Sequence, residues 1–385
     1  MSNSVTSASL ISNSGGSPDG GSRRNVMEVC GGQTHAILRW GLDQRLPEGL
    51  TLIHGPGCPV CVTPTASLQA AQALACCPEV ILCTYGDMLR VPVPREDGRD
   101  PSTQDLLSLR AAGADVRLIT QPLQALQLAL EQPHRQVVLL AVGFETTAPA
   151  TAVLARQLQA LDQSNLHLLV AHVRVVPAMA ALLEQPGAAL DAFLAPGHVC
   201  SIIGLADIEA LAQAHRRPMV VAGFRPGPIE QALALAKGML DRGRHGVVNA
   251  YPSVVHPEGN PKARALLAEV FTPIDLNWRG LGLIRGGGLA LCGPYARFDA
   301  RQSLNHGATA WALAPLLQTR SQDDQTLERS SGPLLCRAAE VLQGRSLPCD
   351  CPSFGTSCTP ADPLGAPMVS DEGACAAWWH YRSRA

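Results

Sequence analysis

Two groups of thiols stand at opposite ends of this sequence. Near the N-terminus are Cys30, in Cys30-Gly31-Gly32-Gln33-Thr34-His35, and the pair Cys58 and Cys61, in Gly55-Pro56-Gly57-Cys58-Pro59-Val60-Cys61. At the far end are Cys336, Cys349, Cys351, Cys358 and Cys375. Between Cys83 and Cys336 only Cys200 and Cys292 occur. Thiols gathered in Gly/Pro-rich loops are placed for reactivity or metal binding, whereas scattered thiols are usually small core residues. Cys58-Pro59-Val60-Cys61 has the C-x-x-C spacing, which lets two sulfurs close a disulfide or chelate a metal. No second C-x-x-C partners it, so a zinc knuckle is the weaker reading, and a tight turn with two incidental thiols is the bland one. A helix starting at Cys61 would favour thiolate through its dipole.

Cys30 precedes Gly31-Gly32, and two glycines let backbone approach a ligand closely. His35, five residues on, is placed to ligate or to orient a ligand. The competing reading of Cys30 is a buried cysteine at a strand end. Glu145 ends a strongly apolar run and precedes Thr146-Thr147, a candidate N-cap. It is either a proton carrier or a charge on a helix N-terminus. Pro196-Gly197-His198 offers a loop histidine, and Asp87 with Arg90 could form a plain ion pair. In the C-terminal group Cys351, Cys358 and Cys375 are spaced C-x6-C-x16-C, with Cys336 and Cys349 upstream. That density favours a metal centre. Zinc and an iron–sulfur cluster both take four thiolates, and the spacing does not choose between them.

These residues need elements to hold them. Apolar runs at 26–29, 50–54, 80–85, 116–120, 136–144, 166–172, 192–195 and 219–224 read as strands. Helical spacing covers 65–75, 102–112, 123–131, 147–161, 177–184, 207–214 and 228–240. Alternation of this kind predicts α/β architecture: parallel sheets covered by helices on both faces. The expected division is a disordered tail over 1–24, one α/β domain over 25–130 and a second over 131–275. A connector and Cys-rich iron–sulfur segment would fill 276–385, with a Gly-rich link at Gly280, Gly282 and 286–288 and a polar exposed stretch over 318–331. The last fifty residues have too little apolar material for a core and need a staple. Cys30, His54–Cys61, Glu145 and His198 all follow predicted strands, where open parallel sheets bind ligands.

The composition narrows the function. Of 385 residues, 46% are hydrophobic and 16% charged, with a formal net charge of −2. This is a globular balance with no basic field for nucleic acid or an anionic membrane. No apolar run reaches spanning length, and 1–24 contains no signal-peptide core. Thirteen cysteines without an export signal point to a reducing cytoplasm, where clustered thiols mean metal or redox chemistry.

Together the motifs resemble the HypD family of hydrogenase maturation factors, from Asn25 onward. The matching stretches are Met27 to His35, His54 to Cys61, Gly143-Phe144-Glu145-Thr146-Thr147-Ala148-Pro149 and Pro196-Gly197-His198-Val199. Further matches are Glu258-Gly259-Asn260-Pro261-Lys262-Ala263, Trp278-Arg279-Gly280-Leu281-Gly282, Asp350-Cys351-Pro352, Cys358-Thr359-Pro360 and Ser370 to Cys375. The resemblance implies a redox-active assembly scaffold rather than a conventional turnover enzyme. On it the Fe(CN)2CO group of [NiFe]-hydrogenase is built together with the small chaperone HypC. Cyanide would come from HypE, which receives its precursor from HypF. The resemblance makes Cys30 the iron-site thiolate and Cys58 and Cys61 a redox dithiol beside it. It makes His35, Glu145 and His198 candidates for proton handling or positioning. It also implies a [4Fe–4S] cluster on Cys351, Cys358, Cys375 and a fourth ligand, Cys336 or Cys349.

The chain departs from the family in four places. Gln33 replaces a usual His and Arg225 a usual Glu. Ala338 stands where the second cysteine of a Cys-x-Cys pair is usual, and Pro367 replaces a common cysteine. Two readings from other classes compete: a stand-alone thiol–disulfide oxidoreductase using Cys58 and Cys61, and a zinc-stapled binding protein.

Overall fold

The computed structural model describes residues 23–94, 103–304, 307–314 and 336–382. The expected tail over 1–24, save its last two residues, and the polar stretch at 318–331 lie outside them. Among the described residues the strands run β1 Arg24–Glu28, β2 Leu50–His54, β3 Val80–Thr84, β4 Val93–Pro94, β5 Thr103–Gln104, β6 Val116–Leu118 and β7 Gln136–Gly143. They continue with β8 Leu166–His172, β9 Ala192–Pro196, β10 Pro218–Ala222, β11 Gly246–Asn249, β12 Phe271–Trp278 and β13 Gly282–Leu291. The helices are α1 Gly31–Arg39, α2 Pro59–Val62, α3 Thr65–Ala75, α4 Leu106–Ala111, α5 Leu123–Glu131 and α6 Ala148–Ala160. After them come α7 Val175–Glu184, α8 Gly197–Ile203, α9 Ala206–His215, α10 Pro226–Asp241, α11 Pro261–Val270, α12 Ala300–Ser303, α13 Ala338–Leu342 and α14 Ala374–Arg382.

Two parallel sheets carry the α/β architecture. The first has the order β11-β10-β9-β1-β2 and the second β6-β3-β7-β8. Their strands are nearly continuous runs of Val, Leu, Ile and Ala, because both faces lie under helices; β7, β8, β9 and β10 are buried almost throughout. In each sheet the chain starts at an inner strand, steps outward once, then crosses back to the other side. The first sheet therefore has its switch point between β1 and β9, the second between β3 and β7. Loops leaving the carboxyl ends of strands at such a point open a crevice. Cys30 follows β1 and His198 follows β9; Asp87 follows β3 and Glu145 follows β7.

The expected division near residue 130 does not follow the sheets. The segment 25–130 supplies strands to both, since β1 and β2 pair with β9 while β3 and β6 pair with β7. Local pattern identifies strands but not their partners. The carboxyl ends of the two sheets meet around one apolar cluster that includes Val29, Cys58, Cys61, Phe144, Val199 and Trp278.

The Gly-rich connector is also more ordered than expected: β12 and β13 form an antiparallel hairpin with a register shift between Ile274 and Leu276. Gly287 and Gly288 are there for space, whereas Gly282 and Gly286 hold positive φ. A Cβ on Gly287 would stand 2.5 Å from the Ile284 side chain and 2.9 Å from Trp278 Nε1. The helix expected from residue 102 starts later, at Leu106, because Asp105 caps it in a reciprocal pair with Ser108.

Candidate functional site

Cys30 is the N-cap of α1, and its backbone is clamped from two sides. The Gly31 N–H donates to Gly57 O at 2.9 Å. A Cβ on Gly57 would stand 2.3 Å from Cys30 N, so only glycine lets the two loops touch. The Cys30 loop and the Cys58 loop are thus back to back. Beneath them lies Glu28, the last residue of β1 and 0% exposed. Its Oε2 accepts the Cys30 N–H at 2.8 Å. Its Oε1 accepts the Thr34 hydroxyl and faces His54 Nδ1 at 2.8 Å.

The Cys30 thiol is only partly covered, yet crowding by its surroundings pushes it up to about 12, with the Glu28 and Glu372 carboxylates adding to the effect. Alone, Cys30 keeps its proton at neutral pH. A metal cation would displace that proton, as metal binding to thiols does.

Cys58 and Cys61 are joined in a disulfide. Cys58 caps the single turn α2, its Sγ accepting the Cys61 N–H at 3.1 Å. The helix therefore begins at Pro59 rather than at Cys61. The two cysteines are 2% and 1% exposed. On its far side α2 packs against 366–368.

His198 is exposed in the first turn of α8, and its ring stacks on Phe224 with centroids 3.8 Å apart. Burial of part of the ring lowers its pKa. Phe224 in turn reaches Gly32, where a Cβ would stand 3.2 Å from its ring and 3.9 Å from Cys30 Sγ. His198 therefore belongs to the Cys30 neighbourhood through Phe224. Cys200, two residues on, is buried and pushed up to about 12, first by burial and then by Glu145 and Cys30.

Glu145 caps a helix, but not the one that follows it. Its Oε1 accepts the Val175 N–H of α7 at 3.0 Å. Thr147, the expected cap of α6, instead donates back to Phe144 O at 3.1 Å. Burial raises the Glu145 carboxyl to about 7. His35 is engaged elsewhere: Tyr381 OH lies 3.1 Å from its Nε2, and the two rings meet edge to face. Asp87 and Arg90 both grip the C-terminal segment instead of each other. Asp87 accepts the Ser370 hydroxyl at 2.6 Å, and Arg90 donates to Ala361 O at 2.9 Å.

In that segment Cys336, Cys351, Cys358 and Cys375 line one small cavity with Ala338, Phe354, Gly365, Pro367 and Met368. Cys349 is exposed and is not among the lining residues. Gly365 gives Cys336 its room, since a Cβ there would stand 2.7 Å from Cys336 Sγ. The Leu364 N–H donates to Cys358 Sγ at 3.3 Å. Burial, then the neighbouring Cys336, Cys358 and Cys351 sulfurs, push the Cys375 thiol well above its ordinary value. Ala338 and Pro367, where the family's further cysteines are usual, both border the same cavity. Among the described residues, no group of three or more His, Cys, Asp or Glu closes on a point that could hold one metal ion.

Gln33 is fully buried, and its Nε2 donates to Ala222 O at 2.9 Å, tying α1 to the end of β10. It faces backbone carbonyls rather than the crevice. Arg225, the N-cap of α10, is exposed. The residues missed in sequence are Glu28, Thr34, His54, Cys200 and Phe224. For Glu28 a signal existed: a carboxylate at the end of an apolar strand.

Such an arrangement defines a class of protein, an α/β scaffold whose switch-point crevice carries one free thiol against a disulfide. A family model described as "HypD: Hydrogenase formation hypA family" matches residues 9–382. The chain is 43% identical over 360 residues to "Hydrogenase maturation factor HypD" of Escherichia coli (strain K12), covering 93% of this chain and 89% of that protein. It is 39% identical over 358 residues to the protein of that name from Rhodobacter capsulatus, again covering 93% and 89%. To "Hydrogenase expression/formation protein HupD" of Azotobacter chroococcum mcd 1 it is 42% identical over 362 residues, covering 92% and 89%. The chain belongs to the HypD family of hydrogenase maturation factors.

Proposed function

We propose that this maturation factor is the scaffold on which the iron of the Fe(CN)2CO group is held and loaded. The observation that carries the reading is the contact of the Cys30 and Cys58 loops through Gly31 and Gly57. It sets the partly exposed Cys30 thiol beside a two-electron centre. Cys30 would hold the cargo iron as thiolate, shared with a small HypC-like chaperone. Thiolate is a soft, strongly donating ligand suited to iron carrying cyanide and CO. Cyanide would arrive from HypE, charged by HypF, in the cytoplasm. Among the described residues no helix is long and apolar enough to cross a membrane.

Reducing the Cys58–Cys61 disulfide takes two electrons and two protons and returns two thiols. With both sulfurs buried, a protein thiol has no direct path to them, which weighs against a stand-alone oxidoreductase. The described route to α2 is from inside, through 366–368 and the cysteine cavity behind them. Cys336, Cys351, Cys358 and Cys375 would hold a [4Fe–4S] cluster there. Four sulfurs spread round a cavity suit a multi-iron cage better than one zinc ion, which draws its ligands to ~2.3 Å of a single point. Their surroundings fit: the Leu364 N–H already donates to sulfur, and Ser353 Oγ, Ser357 Oγ and Trp378 Nε1 are buried donors without a partner. The cluster, when bound, supplies single electrons. The protein's part is to exclude water, hold the thiols and keep α2 against the cavity. Glu145, raised to about 7 by burial, is able to hold a proton near neutral pH, whereas partial burial lowers His198 and favours its neutral ring, which would position rather than store a proton.

The test is Cys30→Ala in the anaerobically purified complex. The variant should keep visible absorption near ~400 nm from the Cys-ligated cluster and lose the infrared bands of iron-bound CN and CO. Bands at wild-type intensity would move the iron site away from Cys30. Zinc in place of iron and sulfide would overturn the cluster.

A further inference from the structure

We infer that Glu28, held by His54 and Thr34, is a positioning residue for the Cys30 iron site, acting through the Cys30 amide and placing a fixed negative charge beneath the incoming cation. The inference rests on the iron-site reading of Cys30.

Several observations converge on it. Glu28 and His54 are register partners in the parallel pair β1–β2, so the sheet itself fixes His54 beside Glu28. The backbone joins them as well, since the Gly55 N–H donates to Glu28 O at 2.8 Å. The Cys30 N–H and the Thr34 hydroxyl donate to its two oxygens and His54 Nδ1 lies 2.8 Å from Oε1, so the side chain is fully held. Its target is specific: Cys30 has no side-chain cap for α1, and Glu28 Oε2 takes the N–H of that residue itself. Rotation of the Cys30 backbone, and with it the direction of the sulfur, is therefore restrained from below by Glu28 and from the side by Gly57.

Burying a carboxylate is unfavourable, and a well-packed apolar side chain would close this strand end at less cost. A charge kept at 0% exposure beside a metal-binding loop has an electrostatic use. It attracts a cation in a setting where solvent screens poorly, and it would enrich the electron density of iron bound through Cys30. More density on iron means more back-donation into CO and CN and lower stretching frequencies.

The experiment uses the complex with the small chaperone, purified anaerobically and read by infrared spectroscopy. Glu28→Gln can still accept the Cys30 N–H through its carbonyl while its amide donates to the Thr34 hydroxyl or to His54 Nδ1 in its unprotonated tautomer, so iron is retained and the charge is lost. The CO and CN bands should persist at near wild-type intensity and shift to higher wavenumber. His54→Asn, whose amide can take the place of Nδ1, should leave the bands where they are. Glu28→Leu loses the acceptor and should lose most of the band intensity, while the absorption of the C-terminal centre shows that the chain has folded. Unshifted bands in Glu28→Gln overturn the electrostatic role, and full bands in Glu28→Leu overturn the positioning role. A wild-type complex without bands overturns the iron-site reading, and this inference with it.

Discussion

At the scale of single residues, burial decides which groups around the crevice keep their protons. Glu145 shows this with a sign that can be checked. Burial is the main cause that lifts its carboxyl from 4.5 to about 7, against the Val175 amide and Arg174, which pull it down. The folded protein therefore binds this proton more tightly than the unfolded chain. Stability from this group is greatest below about 4.5, falls as pH rises toward about 7, and stays low above it. Glu145→Gln keeps an acceptor for Val175 N–H and removes the loss, a gain of roughly 1–3 kcal/mol at pH 8 and little at pH 5. His167 and His172, lowered to about 4 by burial, lose stability in the opposite direction as pH falls; they do so in both proteins and cancel. Urea midpoints at the two pH values measure the gap. An equal advantage at both would show that Glu145 is not the titrating group. The chemistry-bearing cysteines were legible at this scale because their spacing is unusual. Glu28 and His54 were not, because their meaning comes from β1–β2 pairing, which spacing does not show.

At the scale of elements, runs such as β7 were plain in the sequence, since eight residues of Val, Leu, Ala and Gly with Gln136 at the start match a strand buried on both faces. The hairpin β12–β13 was hidden, because Gly286 to Gly288 read as a link, whereas Gly286 serves a left-handed backbone and Gly287 and Gly288 make room for Ile284, Trp278 and Leu276. That Cys336 and not Cys349 lines the cavity was likewise hidden, because it depends on how the segment folds back on itself. The loop from Cys351 to Cys358 carries the next prediction. The Cys358 N–H donates to Ser353 O at 2.8 Å, which places Ser353 inside the turn between two cavity thiols. Its hydroxyl is buried without a partner, a costly state. In helix Ala374–Arg382, Trp378 stands three residues after Cys375, on the same face, with its indole N–H equally unpartnered. Electron-rich cluster sulfur would satisfy both donors, and donors to sulfur stabilise the reduced cluster. Ser353→Ala should leave iron and sulfide content unchanged and move the reduction midpoint to a more negative potential. An unmoved midpoint, followed by redox titration in the visible spectrum, would show that the hydroxyl faces elsewhere.

At the scale of the whole molecule, the C-terminal segment has few regular elements and is pinned to the α/β body at several points. Ser370 donates to Asp87, and Arg90 to Pro360 and Ala361. Tyr381 meets His35, and Arg382 pairs with Asp43. Glu372 closes over Gly31, where a Cβ would stand 2.4 Å from the Glu372 side chain. These contacts lead from the cysteine cavity to the lid of the Cys30 loop. A segment so poor in apolar material would owe much of its order to the proposed cluster, which should then govern access to Cys30. Removing the proposed cluster by chelation under reducing, anaerobic conditions should first expose 336–382 to limited proteolysis while the sheets stay intact. Alkylation of Cys30, followed by peptide mass, should then accelerate several-fold, because Glu372 no longer covers Gly31. Cys83, buried within β3, is the internal control and should stay unmodified. Equal Cys30 alkylation with and without the cluster would separate the two sites. Parallel acceleration of Cys83 would mean that the α/β body had opened as well.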